Sequence, residues 1–383
     1  MRIGIIGQRQ KPEVGGGYSF QETILHAVDI YAFTHEFAVL DLSKEPLPIS
    51  TYKSLEVIRV GEDHPNSNRI LEHASSIDTA VKKHSLELVW YLDPLAGVHS
   101  VPVFVTVFDL AHRMHPFFPE VSTRGWLWDA RENHYRKVLP RAARIFTGTK
   151  TGKDQIVTFY GINEANILVN PFPVPTFPPG STEESTQECI LKRYGLSPGF
   201  LFYPAQFWPH KNHAGLLRAV RILESSYSLT PDIVFTGADH GNRNYIESLV
   251  SDLGLSGRVH FLDFIPRDHL PALYSHALCL IYPSFFGPDN LPPLEAFSLG
   301  CPVITARVDG ALDQLGRHAA RYFDPAQPDD IARSIFHIMS QPRLRRKLVR
   351  NGRILADSRK PEDYVKIMER SLDDFISWRN AWK

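Results

Sequence analysis

Three features of this chain could do chemistry together: Lys211, the helix-opening turn at Asn290–Leu294, and Glu295. The stretch Tyr282 to Thr305 reads as strand end, loop, short helix and new strand. Apolar Leu278 to Tyr282 suits a buried parallel strand, and Pro292 and Pro293 suit a first helical turn, where a missing N–H costs nothing. Gly300 closes the helix and Pro302 to Thr305 opens the next strand. Such a turn leaves backbone N–H groups at Asn290, Leu291 and Leu294. With the helix dipole they make a seat for an anion such as a diphosphate. Glu295, placed in that turn, either accepts both vicinal hydroxyls of a ribose or merely complements the helix dipole. Lys211 follows the strand Phe200–Tyr203 and precedes a helix from Ala214 to Leu223. A lysine there either adds a mobile charge to phosphate or is a solvated surface residue.

The first half offers more candidates. Gly15 to Gly17 separate a strand, Met1 to Gly7, from helical spacing at Phe20, Ile24, Leu25 and Val28. Strand, glycine loop and helix suit approach to a phosphate, although a glycine triplet also makes an ordinary flexible turn. Asp109, His112, Arg113 and His115 crowd the loop after Val101–Val107. Parallel sheets bind ligands at that end, but Asp109 is equally placed to cap a helix. The two histidines lack a further partner with metal-ligand spacing. Thr123 to Arg144 mixes Trp126, Trp128 and Tyr135 with six basic residues. It reads as a half-buried helix with a solvated face, or as a surface for a phosphate-bearing acceptor or anionic headgroups.

These residues need a scaffold. Apolar runs at Phe37–Leu42, Leu55–Val60, Leu88–Leu92, Val101–Val107, Arg144–Gly148 and Ile167–Val169 read as strands, with a helix over Ser67–Lys83 between them. The second half repeats the scheme at Phe200–Tyr203, Asp232–Gly237, Arg258–Pro266, Leu278–Tyr282 and Pro302–Thr305. Helices are expected over Tyr245–Leu253, His269–His276, Asp329–Met339 and Pro361–Trp382. Strands alternating with helices predict an α/β fold with parallel sheets covered on both faces. The proline-rich stretch Pro171 to Ser185 marks a boundary. The expected domains are residues 1–172 and 173–360, with 361–383 a helix crossing back to the first.

Composition sets limits. The chain has 383 residues, 43% hydrophobic, with 42 basic and 42 acidic side chains. That length predicts two domains, and the even balance argues against a general nucleic-acid binder. The three cysteines, Cys189, Cys279 and Cys301, show no ligand spacing and suit a reducing compartment. The first apolar run, Ile3–Ile6, is too short for a signal peptide, and no run approaches a membrane span. The expectation is a cytoplasmic protein, or one peripheral to the inner face of a membrane.

Leu291-Pro-Pro-Leu-Glu-Ala296, with the loop Phe286-Gly-Pro-Asp-Asn290 before it, resembles the donor site of retaining glycosyltransferases of family 4, within the group 1 glycosyl transferases. The resemblance covers most of the chain and is strongest from Phe202 to Asp324. It implies a GT-B fold, two Rossmann-like parallel-sheet domains facing across a cleft, closing about the proline-rich linker. It implies transfer of a hexose or deoxyhexose from a nucleotide-diphosphate sugar to a glycan or lipid-linked acceptor, with no metal and no other cofactor. Retention implies same-face attack, the leaving phosphate taking the acceptor's proton. The family carries a glutamate seven residues before the one matching Glu295; here that position is Gly287, and Asp289 is the expected substitute. Lys211 matches a diphosphate-binding lysine. Gln206 stands where the family has an arginine, so Arg113 or Arg307 is expected to supply the charge. Gly16 and Gly17 match a loop approaching the donor, and Phe264 and Ile265 the backbone beside the nucleobase; Gly237, which ends its strand, is a further donor-binding candidate. The family's His-Asp pair is Phe108-Asp109 here, so His112 is the expected substitute for the histidine. A nucleotide-sugar 2-epimerase of the same fold and a non-catalytic nucleotide-sugar-binding protein are the alternatives.

Overall fold

A computed structural model describes residues 1–7, 15–31, 33–42, 52–60 and 73–381. Residues 67–72 of the helix expected over Ser67–Lys83 lie outside these, and the described part is a helix at His73–Lys83. The chain forms two compact units. The first is Met1–Met114, Trp126–Pro173 and Arg359–Lys383; the second is His115–Gly125 and Val174–Ser358.

In the first unit, β1 (Arg2–Ile6), β2 (Glu36–Asp41), β3 (Glu56–Arg59), β4 (Leu88–Tyr91), β5 (Val103–Thr106), β6 (Arg144–Thr147) and β7 (Ile167–Val169) form one sheet. Their order is β3-β2-β1-β4-β5-β6-β7, and every pairing is parallel. In the second unit, β8 (Leu201–Pro204), β9 (Ile233–Thr236), β10 (Val259–Phe261), β11 (Cys279–Tyr282), β12 (Val303–Ala306) and β13 (Ala320–Phe323) are ordered β10-β9-β8-β11-β12-β13, again all parallel. Both are doubly wound Rossmann-like sheets. Their central strands are written as apolar runs because helices cover both faces: every residue of β4, β5, β9, β11 and β12 is buried. In each sheet the order reverses beside one strand, between β1 and β4 and between β8 and β11. Ligands of open α/β sheets bind at that reversal, beyond the strands' carboxyl ends.

The helix Pro361–Asn380 packs within the first unit. Tyr364 lies edge-on to Phe20 at 5.6 Å, Phe375 edge-on to Phe104 at 5.6 Å, and the buried Asn170 amide donates to Tyr364 O at 3.1 Å.

One segment falls in a different unit from the one expected. His115–Gly125, read as part of the first domain, packs into the second unit. Its aromatics explain the placement: Phe118 lies 5.7 Å from the rings of both Phe285 and Phe286, and His115 stacks on Phe286 at 5.2 Å. The elements not anticipated include β13, the helices Glu184–Tyr194 and Ala311–Leu315, and the helix Pro342–Asp357, which packs through Gly352 against the ring of Phe297.

Candidate functional site

The second unit gathers its polar side chains at the β8–β11 reversal. Beyond β8, a single 3-10 turn at Pro209–Lys211 is followed by Asn212 in the left-handed region (φ 57°). The Asn212 side chain caps the helix His213–Tyr227 by accepting from Gly215 N, while its amide donates to Pro283 O and Pro325 O. The turn is thus pinned from both sides, and Lys211 leaves it in a fixed direction. Lys211 Nζ donates to Tyr282 Oη at 3.1 Å and lies 5.3 Å from that ring's centroid. Tyr282, the last residue of β11, donates in turn to Asn290 Oδ1 at 3.1 Å. One tyrosine hydroxyl therefore joins Lys211 to the cap of the helix Leu291–Ser298.

That helix start differs from its expected form. Asn290 N–H is not open: it donates to Gln314 Oε1 at 3.1 Å, and Gln314 Nε2 donates back to Asn290 O at 2.8 Å. Pro292 and Pro293 carry no N–H, so Leu291 and Leu294 hold the N–H groups of the first turn. Glu295 is the fifth helical residue, one place beyond that turn, and is only 5% exposed. Tyr274 Oη donates to its Oε2 at 2.8 Å, and Arg267 Nη1 stands 3.8 Å from its Oε1, beyond hydrogen-bond length. Arg267 also donates to Thr176 O at 2.8 Å.

Gly287 is more than a missing acid. Its φ is 129°, and a Cβ built there would lie 2.5 Å from Asn290 Oδ1. Asn290 cannot yield readily, because its amide also donates to Gly287 O at 2.6 Å. The loop is shaped for glycine, with half-buried Asp289 between it and Asn290. We expect Gly287→Glu, which installs the family's acid, to lower stability by about 1–3 kcal/mol through backbone strain and to weaken nucleotide binding. Chemical denaturation and calorimetry check this; a stable variant with tighter binding would refute it.

Other expected residues join the same rim. Gly237 (φ 149°) lies so close to the backbone of Ala205 and Gln206 that a Cβ would meet Ala205 O at 2.4 Å. Its N–H donates to Asp263 O at 2.8 Å, tying the Phe264 turn to the end of β9. Phe264 is 43% exposed and Ile265 is buried. The Gln206 side chain accepts from the Trp208 indole at 3.0 Å.

Sequence reading missed Tyr282, Gln314, Arg267 and the pair Glu120–His210. His210 donates from its backbone N to Glu120 Oε1 at 2.9 Å, and its ring Nδ1 meets the same oxygen. The ring also stacks on Phe286 at 4.0 Å. Burial pushes the Glu120 carboxyl up, but hydrogen bonding to His210 leaves it below the usual range. This pair holds the residue next to Lys211.

In the first unit, Gly16 and Gly17 open the helix Gly16–Ile30. Asp109 caps the short helix Ala111–Met114, accepting from Ala111 N at 2.8 Å and from Arg131 Nη2 at 2.6 Å. Its carboxyl is held below the usual range because the Arg131 charge and these hydrogen bonds outweigh burial. His112 is fully buried, its Nε2 3.2 Å from both Glu132 Oε2 and Tyr160 Oη. It is an internal hydrogen-bonding residue, not a surface for a sugar. Arg113 is engaged by both Glu132 oxygens; Arg307 is exposed beyond β12. The stretch from Trp128 is a half-buried helix, Trp128–Val138, with Arg131, Glu132, Tyr135 and Val138 inward.

Burial and the Arg131 charge push the His112 pKa down to about 4. Hydrogen bonds from Arg113, Tyr160 and Arg136 outweigh burial and draw Glu132 down to about 2. Both groups bind more protons unfolded, so the stability they contribute is lost as pH falls. For His112 the window runs from its ordinary 6.5 to about 4, a loss of about 3 kcal/mol. Urea unfolding at pH 7 and pH 4 should show a smaller loss in His112→Phe than in the parent; equal losses would exclude His112 as the source.

Among the described residues no helix is long and apolar enough to cross a membrane, and no three His, Cys, Asp or Glu side chains gather as a metal site requires.

Residues 193–355 match the family model of glycosyl transferases group 1. O-antigen chain mannosyltransferase B of Escherichia coli is 31% identical over 154 residues, 39% of this chain and 40% of that protein. O-antigen chain mannosyltransferase RfbU of Salmonella typhimurium is 25% identical over 231 residues, 59% of each. The matches thus span 40–59% of these relatives' lengths. The structure of Anabaena Alr3699/HepE in complex with UDP-glucose superposes with a TM-score of 0.71 at 16% identity, covering 98% of this chain and 99% of that one, which shows the fold. The fold is therefore GT-B, two Rossmann-like sheets, and residues 193–355 of the second are similar to the glycosyl transferases group 1.

Proposed function

We propose that the protein is a retaining, metal-independent glycosyltransferase that moves a hexose or deoxyhexose from a nucleotide-diphosphate sugar to a glycan or lipid-linked acceptor. The observation that carries this reading is the Lys211–Tyr282–Asn290 chain, which places a cation beside a helix start at the sheet's reversal. As the anomeric bond breaks, charge collects on the leaving diphosphate. Fixed N–H groups at Leu291 and Leu294 and the Lys211 ammonium would stabilise it without reorganising. Glu295 would accept the ribose hydroxyls through Oε1 while Tyr274 holds Oε2. Gly237, Phe264 and Ile265 would border the base, and Asp289 the sugar. In same-face transfer the leaving phosphate takes the acceptor's proton, so no protein nucleophile is required. Asp109 and His112 serve the packing of the first unit in this reading. The two O-antigen mannosyltransferase relatives support a hexose and a glycan acceptor, and the UDP-glucose complex of a fold neighbour supports a sugar-nucleotide donor. The cytoplasm, or the inner face of a membrane, is the proposed location.

Gly287 favours a second reading, a binder without turnover, since the loop excludes the family's first acid. Incubation with a panel of nucleotide sugars, with and without glycan and lipid-linked acceptors, separates the cases. Transfer with the donor's anomeric configuration kept is the expected result. Binding without donor consumption would replace the proposal with the second reading, and sugar interconversion without acceptor would make the protein an epimerase.

A further inference from the structure

At the opposite end of the second sheet, where β8, β11 and β12 begin, a cleft of about 770 Å³ opens beside the helix Pro342–Asp357. Gly199, Leu278 and Pro302 form its floor, and Arg345, Arg346, Arg350 and Arg353 line its wall. That volume is within the range of small-molecule sites, roughly 300–1,000 Å³.

The charge on this wall is not explained by the fold. The chain's formal net charge is zero, yet this 16-residue helix bears five arginines and Lys347 against the single acid Asp357. Arg343 and Lys347, and Arg346 and Arg350, are like charges four residues apart, and such pairs oppose helix formation. Among the described residues no carboxylate forms an ion pair with Arg343, Arg345, Arg346, Lys347, Arg350 or Arg353. Arg353 alone has a visible structural task. Its guanidinium lies against Gly300 (φ 73°), where a Cβ would come within 2.5 Å of Nη2, and it complements the C-terminal end of the helix Leu291–Ser298. Arg345, Arg346 and Arg350 are exposed and face the cleft, whose lining also holds one carboxylate, Asp357, that forms no ion pair with them.

We infer that this cleft binds a phosphate-bearing anion. Guanidinium groups present planar, paired donors that match phosphate oxygens. A bound phosphate would also relieve the repulsion along the helix. The phosphate is carried either by a soluble compound or by a lipid headgroup. The site is separate from the Lys211 turn, which lies beyond the carboxyl ends of the strands, and the inference does not rest on the proposed transferase activity.

The test uses the full chain carrying Lys211→Met, so that binding at the other end of the sheet is suppressed. Inorganic pyrophosphate is titrated calorimetrically at constant ionic strength, and sedimentation is measured with vesicles of phosphatidylglycerol and phosphatidylcholine in equal parts, or of phosphatidylcholine alone. Adding Arg346→Gln and Arg350→Gln should weaken one of these interactions by about tenfold or more. Both residues are exposed, and circular dichroism confirms the fold. Loss of pyrophosphate binding identifies a soluble ligand, and loss of phosphatidylglycerol-dependent sedimentation identifies a headgroup. Binding that is absent from the start, or indifferent to the two arginines in both assays, overturns the inference.

Discussion

Glu295→Gln should fold like the parent and lose most of its transfer activity. The side chain is 5% exposed, and its Oε2 accepts the hydroxyl of the fully buried Tyr274. An amide oxygen can accept that same hydrogen bond, so stability should stay within about 1 kcal/mol of the parent. What the substitution removes is charge on Oε1, the oxygen proposed to take the ribose hydroxyls. Hydrogen bonds to a charged acceptor contribute about 1.5–3 kcal/mol, so transfer at low donor concentration should fall by about 10- to 150-fold. Glu295→Ala is a poorer test, because it strands the Tyr274 hydroxyl in the core at a cost of about 1–3 kcal/mol. It would lower stability and activity together, whatever Glu295 does. Comparing urea unfolding with initial transfer rates for both variants resolves the two effects. A folded Gln variant with parental turnover would remove Glu295 from the site and leave it the role of anchoring Tyr274.

Both sheets were legible because parallel strands covered on two faces are written as apolar runs, and runs such as Cys279–Tyr282 carry no polar interruption. The strand Ala320–Phe323 escaped because Arg321 and Tyr322 are only half-buried at the sheet's edge and break the run. The helix Pro342–Asp357 had a readable signal: Pro342 at its start, then Leu344, Leu348, Gly352 and Ala356 four residues apart. Its many arginines obscured that pattern. In the site, Lys211, Asn290, Leu291 and Glu295 were legible because each stands just after a strand or at a helix start, where local geometry makes a donor or acceptor available. Their partners were not. Gln314 lies 24 residues from Asn290, and Glu120 lies 90 from His210. No spacing rule links them; only packing brings each pair together. The same holds for Asn290 itself, which looked open as a local turn and is closed by a side chain from another helix.

Replacing Lys211 tests whether the anion seat binds phosphate, and the surroundings of Lys211 make the result interpretable. In Lys211→Met the long unbranched side chain can still lie over the Tyr282 ring, 5.3 Å from the present ammonium. Tyr282 keeps its donation to Asn290 Oδ1, and Gln314 still grips the Asn290 backbone from both sides. The helix start therefore stays in place, and the ammonium is the element removed. If that ammonium meets the diphosphate, the dissociation constant for a bound nucleoside diphosphate should rise by about 10- to 150-fold in calorimetry. The corresponding nucleoside, which lacks phosphate, should bind both proteins alike. The gap between the proteins should also narrow as salt is raised, because an interaction at a partly solvated lysine is screened. An equal loss for nucleoside and diphosphate would mean that the substitution had moved the turn. Unchanged diphosphate affinity would mean that Lys211 serves only to hold Tyr282, and the seat would then depend on the Leu291 and Leu294 N–H groups alone.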